Sequence, residues 1–223
     1  MYPAHEGAPQ RVPAIASTSR LEAFSDGVIA VIITIMVLEL KVPHENGLAG
    51  LRAVLPTLFI YLLSFTFTAI YWINHHHLVS RIEDLTPQIL YSNLGFLFAL
   101  SLLPFFTSWV LEKNLDAFSV ILYDTSLLIT GLGFFLLRRS VDCHLKNQGK
   151  FKEESAAEQR KHLLSIGLYL LAIPLALLYP RLALAVMALV NVIWIIPTAS
   201  TSPRLARRKS SPHPASDQST SHH

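Results

Sequence analysis

A single cysteine, Cys143, stands in 223 residues, so no intrachain disulfide framework is possible and no cysteine metal site can be built from it alone. It reads as a reduced loop thiol. Charge is scarce as well: 15% of the residues are Asp, Glu, Lys or Arg and 52% are apolar, whereas a soluble domain carries about a quarter charged residues. That balance excludes a soluble globular protein and leaves a multi-span membrane protein. Residues 1–19 contain no apolar core of signal-peptide length, so no cleaved targeting segment is expected. Nucleophile elbow, glycine-rich phosphate loop, zinc-binding helix motif and paired catalytic carboxylates are all missing, so neither an enzyme nor a cofactor is expected. No helix carries a regular arginine ladder, which argues against a voltage sensor. The net charge of +3 comes from basic residues between apolar runs and in the tail. Membrane topology accounts for them, and no nucleic-acid partner is expected.

The chain does have apolar runs. The first lies within Arg20–Val42, RLEAFSDGVIAVIITIMVLELKV. Its uncharged part, Gly27 to Leu38, covers about 18 Å of a hydrocarbon slab about 30 Å thick. A helix there brings Ser25 and Asp26, and with them Glu39, close to or inside the slab, where a carboxylate must face protein or water. Further runs cover Ala53–Ile73, ending in the polar cluster Asn74-His75-His76-His77; Ile89–Leu111, kinked at Pro104; Ala117–Leu137, with one carboxylate, Asp124; and the shorter Leu163–Tyr179 and Leu182–Ile196, separated by Pro180-Arg181. The expected fold is all-α, with six transmembrane helices. The domain plan is a disordered lead-in over 1–19, a transmembrane unit over 20–198 with a polar loop at about 138–162, and a disordered basic tail over 199–223. Within that loop, Glu153–Lys161 suits a short surface helix. Six spans put both termini on one side, and fourteen of the eighteen Lys and Arg residues fall on that side against four opposite. The positive-inside rule makes it the cytoplasm.

Arg20-x-x-x-Phe24-Ser25-Asp26 opens the first helix, Tyr71-Trp72-Ile73-Asn74-His75-His76 closes the second, and Asn93-Leu94 with Pro104-Phe105 marks the third. Together they resemble the prokaryotic relatives of transmembrane protein 175, the endosomal and lysosomal potassium channel. The resemblance covers the first three helices; the last three agree in number, length and topology. It implies a multi-pass protein of the prokaryotic plasma membrane, a homotetramer, and a central cation pore lined by the first helix of each subunit, constricted by large apolar side chains rather than by a loop of backbone carbonyls. The matching positions are Val31, Ile35 and Leu38, with Thr34 on the same stripe and permeant potassium near it.

Helix geometry is compatible with this. Residues 31, 34, 35 and 38 follow the i, i+3, i+4, i+7 rule and share one face, which Gly27 extends. Asp26 lies about 220° off that face at 100° per residue, so it points into the subunit. The motif resembles a packing lock, in which Asp26 and Ser25 share hydrogen bonds with Trp72, Asn74 and one of His75 or His76. Arg20 and Asp26, six apart, do not meet on one helix.

Each of these assignments has a plainer alternative. Apolar stripes on membrane helices ordinarily pack against neighbours, and a helical threonine ordinarily bonds the carbonyl four residues back. Three consecutive histidines point in three directions and cannot chelate one ion, so no tightly bound metal is expected. Asp124 fits a buried, hydrogen-bonded carboxylate or an outer-mouth position better than a proton relay, and Glu39 either concentrates cations at the outer end of the pore or pairs with Lys41 or water. The leading expectation is a potassium-preferring leak channel. Its rivals are a proton channel or proton-coupled transporter using Asp26, Asp124 and the histidines, and a non-conducting scaffold whose basic loop and tail engage lipid or a partner.

Overall fold

The structure is a computed structural model that describes residues 17–151 and 156–196. The expectations for the lead-in before residue 17 and for the basic tail from 197 onward lie outside the described residues. Seven helices follow one another: α1 (Thr18–Leu38), α2 (Gly47–Val79), α3 (Pro87–Ser101), α4 (Leu103–Glu112), α5 (Ala117–Asn147), α6 (Ala156–Leu178) and α7 (Pro180–Ile195). The third apolar run becomes α3 and α4, still a single crossing over Pro87–Glu112. The break at Leu102 follows from Pro104, which has no N–H to give to the carbonyl of Leu100. Among the described residues, five segments are long and apolar enough to cross a membrane. The sixth, α7, has 16 residues and reaches about 24 Å.

Two boundaries depart from the sequence reading. The expected loop at about 138–162 is largely helical, because α5 runs on to Asn147 and α6 begins at Ala156. Val141 and Leu145 keep the four-residue spacing of Leu137, and all three are buried, so the core face of α5 outlasts its apolar stretch. The surface helix expected at Glu153–Lys161 is, from Ala156, the first turns of α6; residues 152–155 lie outside the described residues. Likewise α2 starts at Gly47 and continues past the histidines to Val79.

Helix association inside hydrocarbon depends on close van der Waals contact and on polar bonds, not on hydrophobic burial. Both devices are present. On α5, a Cβ at Gly133 would come within 3.1 Å of Phe96 Cα, so any larger residue there would push α3 and α5 apart by a few tenths of an ångström. Nearby, the Ser92 and Ser140 hydroxyls pair at 2.9 Å. Ser64 on α2 joins Thr107 on α4 and the Tyr123 hydroxyl on α5, both at 2.9 Å, and Asn191 on α7 donates to the carbonyl of Leu63 at 2.9 Å. Outside the slab, Lys150 donates to Glu83 at 2.8 Å; that hydrogen bond holds the Glu83 carboxyl below its ordinary value and raises Lys150. α6 and α7 lean on α5 and α2, while α1 packs on α2, α3 and α4.

Candidate functional site

α1 has two faces of different fate. Leu21, Ser25, Ile29, Ile32 and Met36 recur every three or four residues and are buried against the bundle. The other side is uncovered: Val31 is 54% exposed, Ile35 43% and Leu38 79%, and Thr34 and Gly27 are exposed beside them. Val31 and Ile35, with Phe24 and Gly27, form one wall of a groove of about 820 Å³ whose other wall is Ser101, Pro104, Phe105 and Ser108. Ser108 Oγ is buried there without a hydrogen-bond partner among the described residues. The Thr34 hydroxyl donates to the Val31 carbonyl at 2.9 Å, three residues back rather than four. Glu39 lines the outer end of the groove; Lys41 pairs with Glu112 at 3.7 Å, not with Glu39.

The N-terminal half of α1 is pinned by a directed chain of hydrogen bonds. The Asn93 amide on α3 donates to Ser25 Oγ at 3.0 Å, and Ser25 in turn donates to the Leu21 carbonyl at 2.8 Å. His75 Nε2 on α2 lies 2.8 Å from Asn93 Oδ1. With the amide nitrogen committed to Ser25, Oδ1 must accept, so His75 carries its proton on Nε2. Nδ1 then has no partner among the described residues, and the ring lies flat against Phe96, with centroids 5.9 Å apart. All three polar side chains are wholly buried. Just outside, Trp72 Nε1 donates to Asp26 Oδ1 at 2.8 Å, and His76 Nδ1 sits 2.9 Å from Glu22.

Several expectations are corrected here. Asp26 meets Trp72 alone, and Ser25 bonds none of Trp72, Asn74, His75 or His76 directly; Asn93 stands between Ser25 and His75. Asn74 is not in the cluster, because its amide donates to the Ile70 carbonyl of its own helix at 2.9 Å and it lines a cavity on another face. Arg20 is exposed and has no side-chain partner among the described residues. Phe24 is exposed and lines the groove. Asn93 and Glu22 were missed as members of the cluster. The signal for Asn93 was a lone amide in an apolar run, which must find a partner in hydrocarbon; Glu22 gave none. Asp124 is buried, and neither of its oxygens has a hydrogen-bond partner among the described residues. Among the described residues no group of three or more His, Cys, Asp or Glu side chains could hold a metal ion.

The chain is similar to known proteins. The family described as endosomal/lysosomal potassium channel TMEM175 matches residues 20–104. A potassium channel of Chryseobacterium sp. is 39% identical over 178 residues, covering 80% of this chain and 92% of that one. The zebrafish endosomal/lysosomal proton channel TMEM175 is 25% identical over 157 residues, covering 67% of this chain and 30% of its own. The crystal structure of a lysosomal potassium-selective channel TMEM175 homolog from Chamaesiphon minutus superposes with a TM-score of 0.68 at 26% identity, over 80% of this chain and 96% of that one.

Proposed function

Because the chain belongs to the TMEM175 family of potassium channels, we propose that four copies surround a central pore whose wall is the uncovered face of α1. It is a multi-pass membrane protein of a prokaryote and a potassium channel, not an enzyme. The observation that carries the pore assignment is the contrast between the two sides of α1. One side is buried and tied down by Ser25, Asn93 and His75, while Val31, Thr34, Ile35 and Leu38 are left exposed.

Rings of Val31, Ile35 and Leu38 form an apolar constriction. Such a ring removes water from an ion without replacing it, so conduction depends on its width. Thr34 contributes differently. Its hydrogen is turned to the Val31 carbonyl, so the oxygen lone pairs remain to face the axis, the polarity a dehydrating cation needs. Glu39 at the outer end of the groove concentrates cations. Both termini are cytoplasmic.

The test is flux through purified protein in liposomes. Potassium flux above that of empty liposomes and above sodium flux is expected; no flux from folded protein would leave the scaffold as the reading. Buried, unpartnered Asp124 and the zebrafish relative named a proton channel favour proton permeation as the second reading. Proton flux without potassium flux would put it first.

A further inference from the structure

On the far side of the bundle from α1, a cavity of about 710 Å³ opens between α2, α5, α6 and α7, within the range of about 300–1,000 Å³ that encloses small ligands. Its floor and walls are apolar and aromatic, among them Phe67, Tyr71, Leu127 and Phe134. Its polar groups gather at one end. Arg138, His162 and Trp194 line it there, with Arg138 Nη1 2.7 Å from His162 Nε2 and the His162 and Trp194 rings edge to face at 4.8 Å. Lys161 reaches over Trp194 at 5.9 Å. Asp142 steadies the guanidinium at 3.8 Å.

We propose that this cavity holds one acyl chain of an anionic phospholipid from the cytoplasmic leaflet, with the lipid's phosphate at Arg138. Three observations select that occupant. From Leu127 to Arg138 is about 16 Å along α5, half of a hydrocarbon slab about 30 Å thick, so the cavity is as deep as one leaflet. Its rim carries the exposed side chains Leu132, Phe135, Leu163 and Ile166, so a chain enters sideways from lipid. Its mouth combines cations with an indole, the pairing that basic pockets between membrane helices use for anionic head groups.

Trp194 is a reporter in place. The full-length protein is reconstituted in phosphatidylcholine vesicles containing a minor fraction of phosphatidylglycerol or of phosphatidylcholine with brominated acyl chains. Tryptophan quenching is then compared between wild type and Trp194→Phe to isolate the Trp194 share. One basic side chain near the surface contributes about 1 kcal/mol toward anionic lipid, a ratio of about fivefold. The Trp194 share is therefore expected to be quenched about fivefold more strongly by brominated phosphatidylglycerol. Arg138→Gln should bring the ratio close to one, and Arg138→Lys should keep it. Equal quenching by the two lipids in the wild type marks an ordinary lipid contact or a site covered by another copy of the chain, and overturns the proposal without any variant having to fold. A preference undiminished in folded Arg138→Gln also overturns it.

Discussion

Ile35→Asn and Leu38→Asn are each expected to raise potassium flux by about tenfold or more and to bring the sodium rate toward the potassium rate. A ring of isoleucine or leucine opposes ions because it takes away hydration water and supplies no polar atom in exchange. Asparagine is close to leucine in size, so the opening keeps its width while, in the proposed tetramer, one amide from each copy replaces the apolar surface. Each 1.4 kcal/mol taken from the dehydration barrier multiplies the rate about tenfold. Selectivity falls with the barrier, since sodium binds its water more tightly than potassium and gains more when dehydration is avoided. Thr34→Ala should act on selectivity alone. It removes the ring of oxygens but leaves the apolar constriction, so the potassium preference declines without a rise in total flux. Liposome flux with the two cations in parallel reads all three variants.

Asn93→Leu is expected to damage the assembly itself. The side chain is wholly buried and bonds both Ser25 on α1 and His75 on α2. Leucine fills the space but leaves the His75 Nε2 proton without an acceptor, at a cost of about 1–3 kcal/mol, and loses two bonds of about 0.6 kcal/mol each in a membrane setting. The midpoint for thermal loss of the assembled channel, followed by size exclusion after heating, should fall by about 4–17 °C. Asp26→Asn makes the contrast. The amide oxygen still accepts from Trp72 Nε1, so its midpoint should stay near wild type. Similar losses in both variants would mean that Asn93 does not hold α1 in place.

Much of α1 was legible because both of its faces obey one helical period, with 21, 25, 29, 32 and 36 turned inward and 31, 34, 35 and 38 outward. The direction of Asp26 followed from the same rotation. The partners were harder. Trp72 is 46 residues from Asp26, and only the motif linked them; Asn93 is 68 residues from Ser25, and a lone amide has no periodicity to show which helix it will meet. The length of α5 was misjudged because mean hydropathy drops at Arg138, although Leu137, Val141 and Leu145 continue the buried stripe and Arg138 with Asp142 forms a pair at i, i+4. The lateral cavity could not be foreseen, since four helices contribute to it and its volume depends on how they splay.

The central claim, that the open face of α1 lines the ion path, is tested most directly by blocking it. In a Cys143→Ser background, Leu38→Cys places a thiol at the outer end of α1, and Leu178→Cys places one at the outer end of α6, also exposed at 74%. A positively charged, membrane-impermeant thiol reagent is applied from that side while potassium flux is recorded. The account predicts that flux through labelled Leu38→Cys falls to that of empty liposomes and that labelled Leu178→Cys conducts as before. Undiminished flux after complete labelling at Leu38, or equal block at both positions, would contradict it.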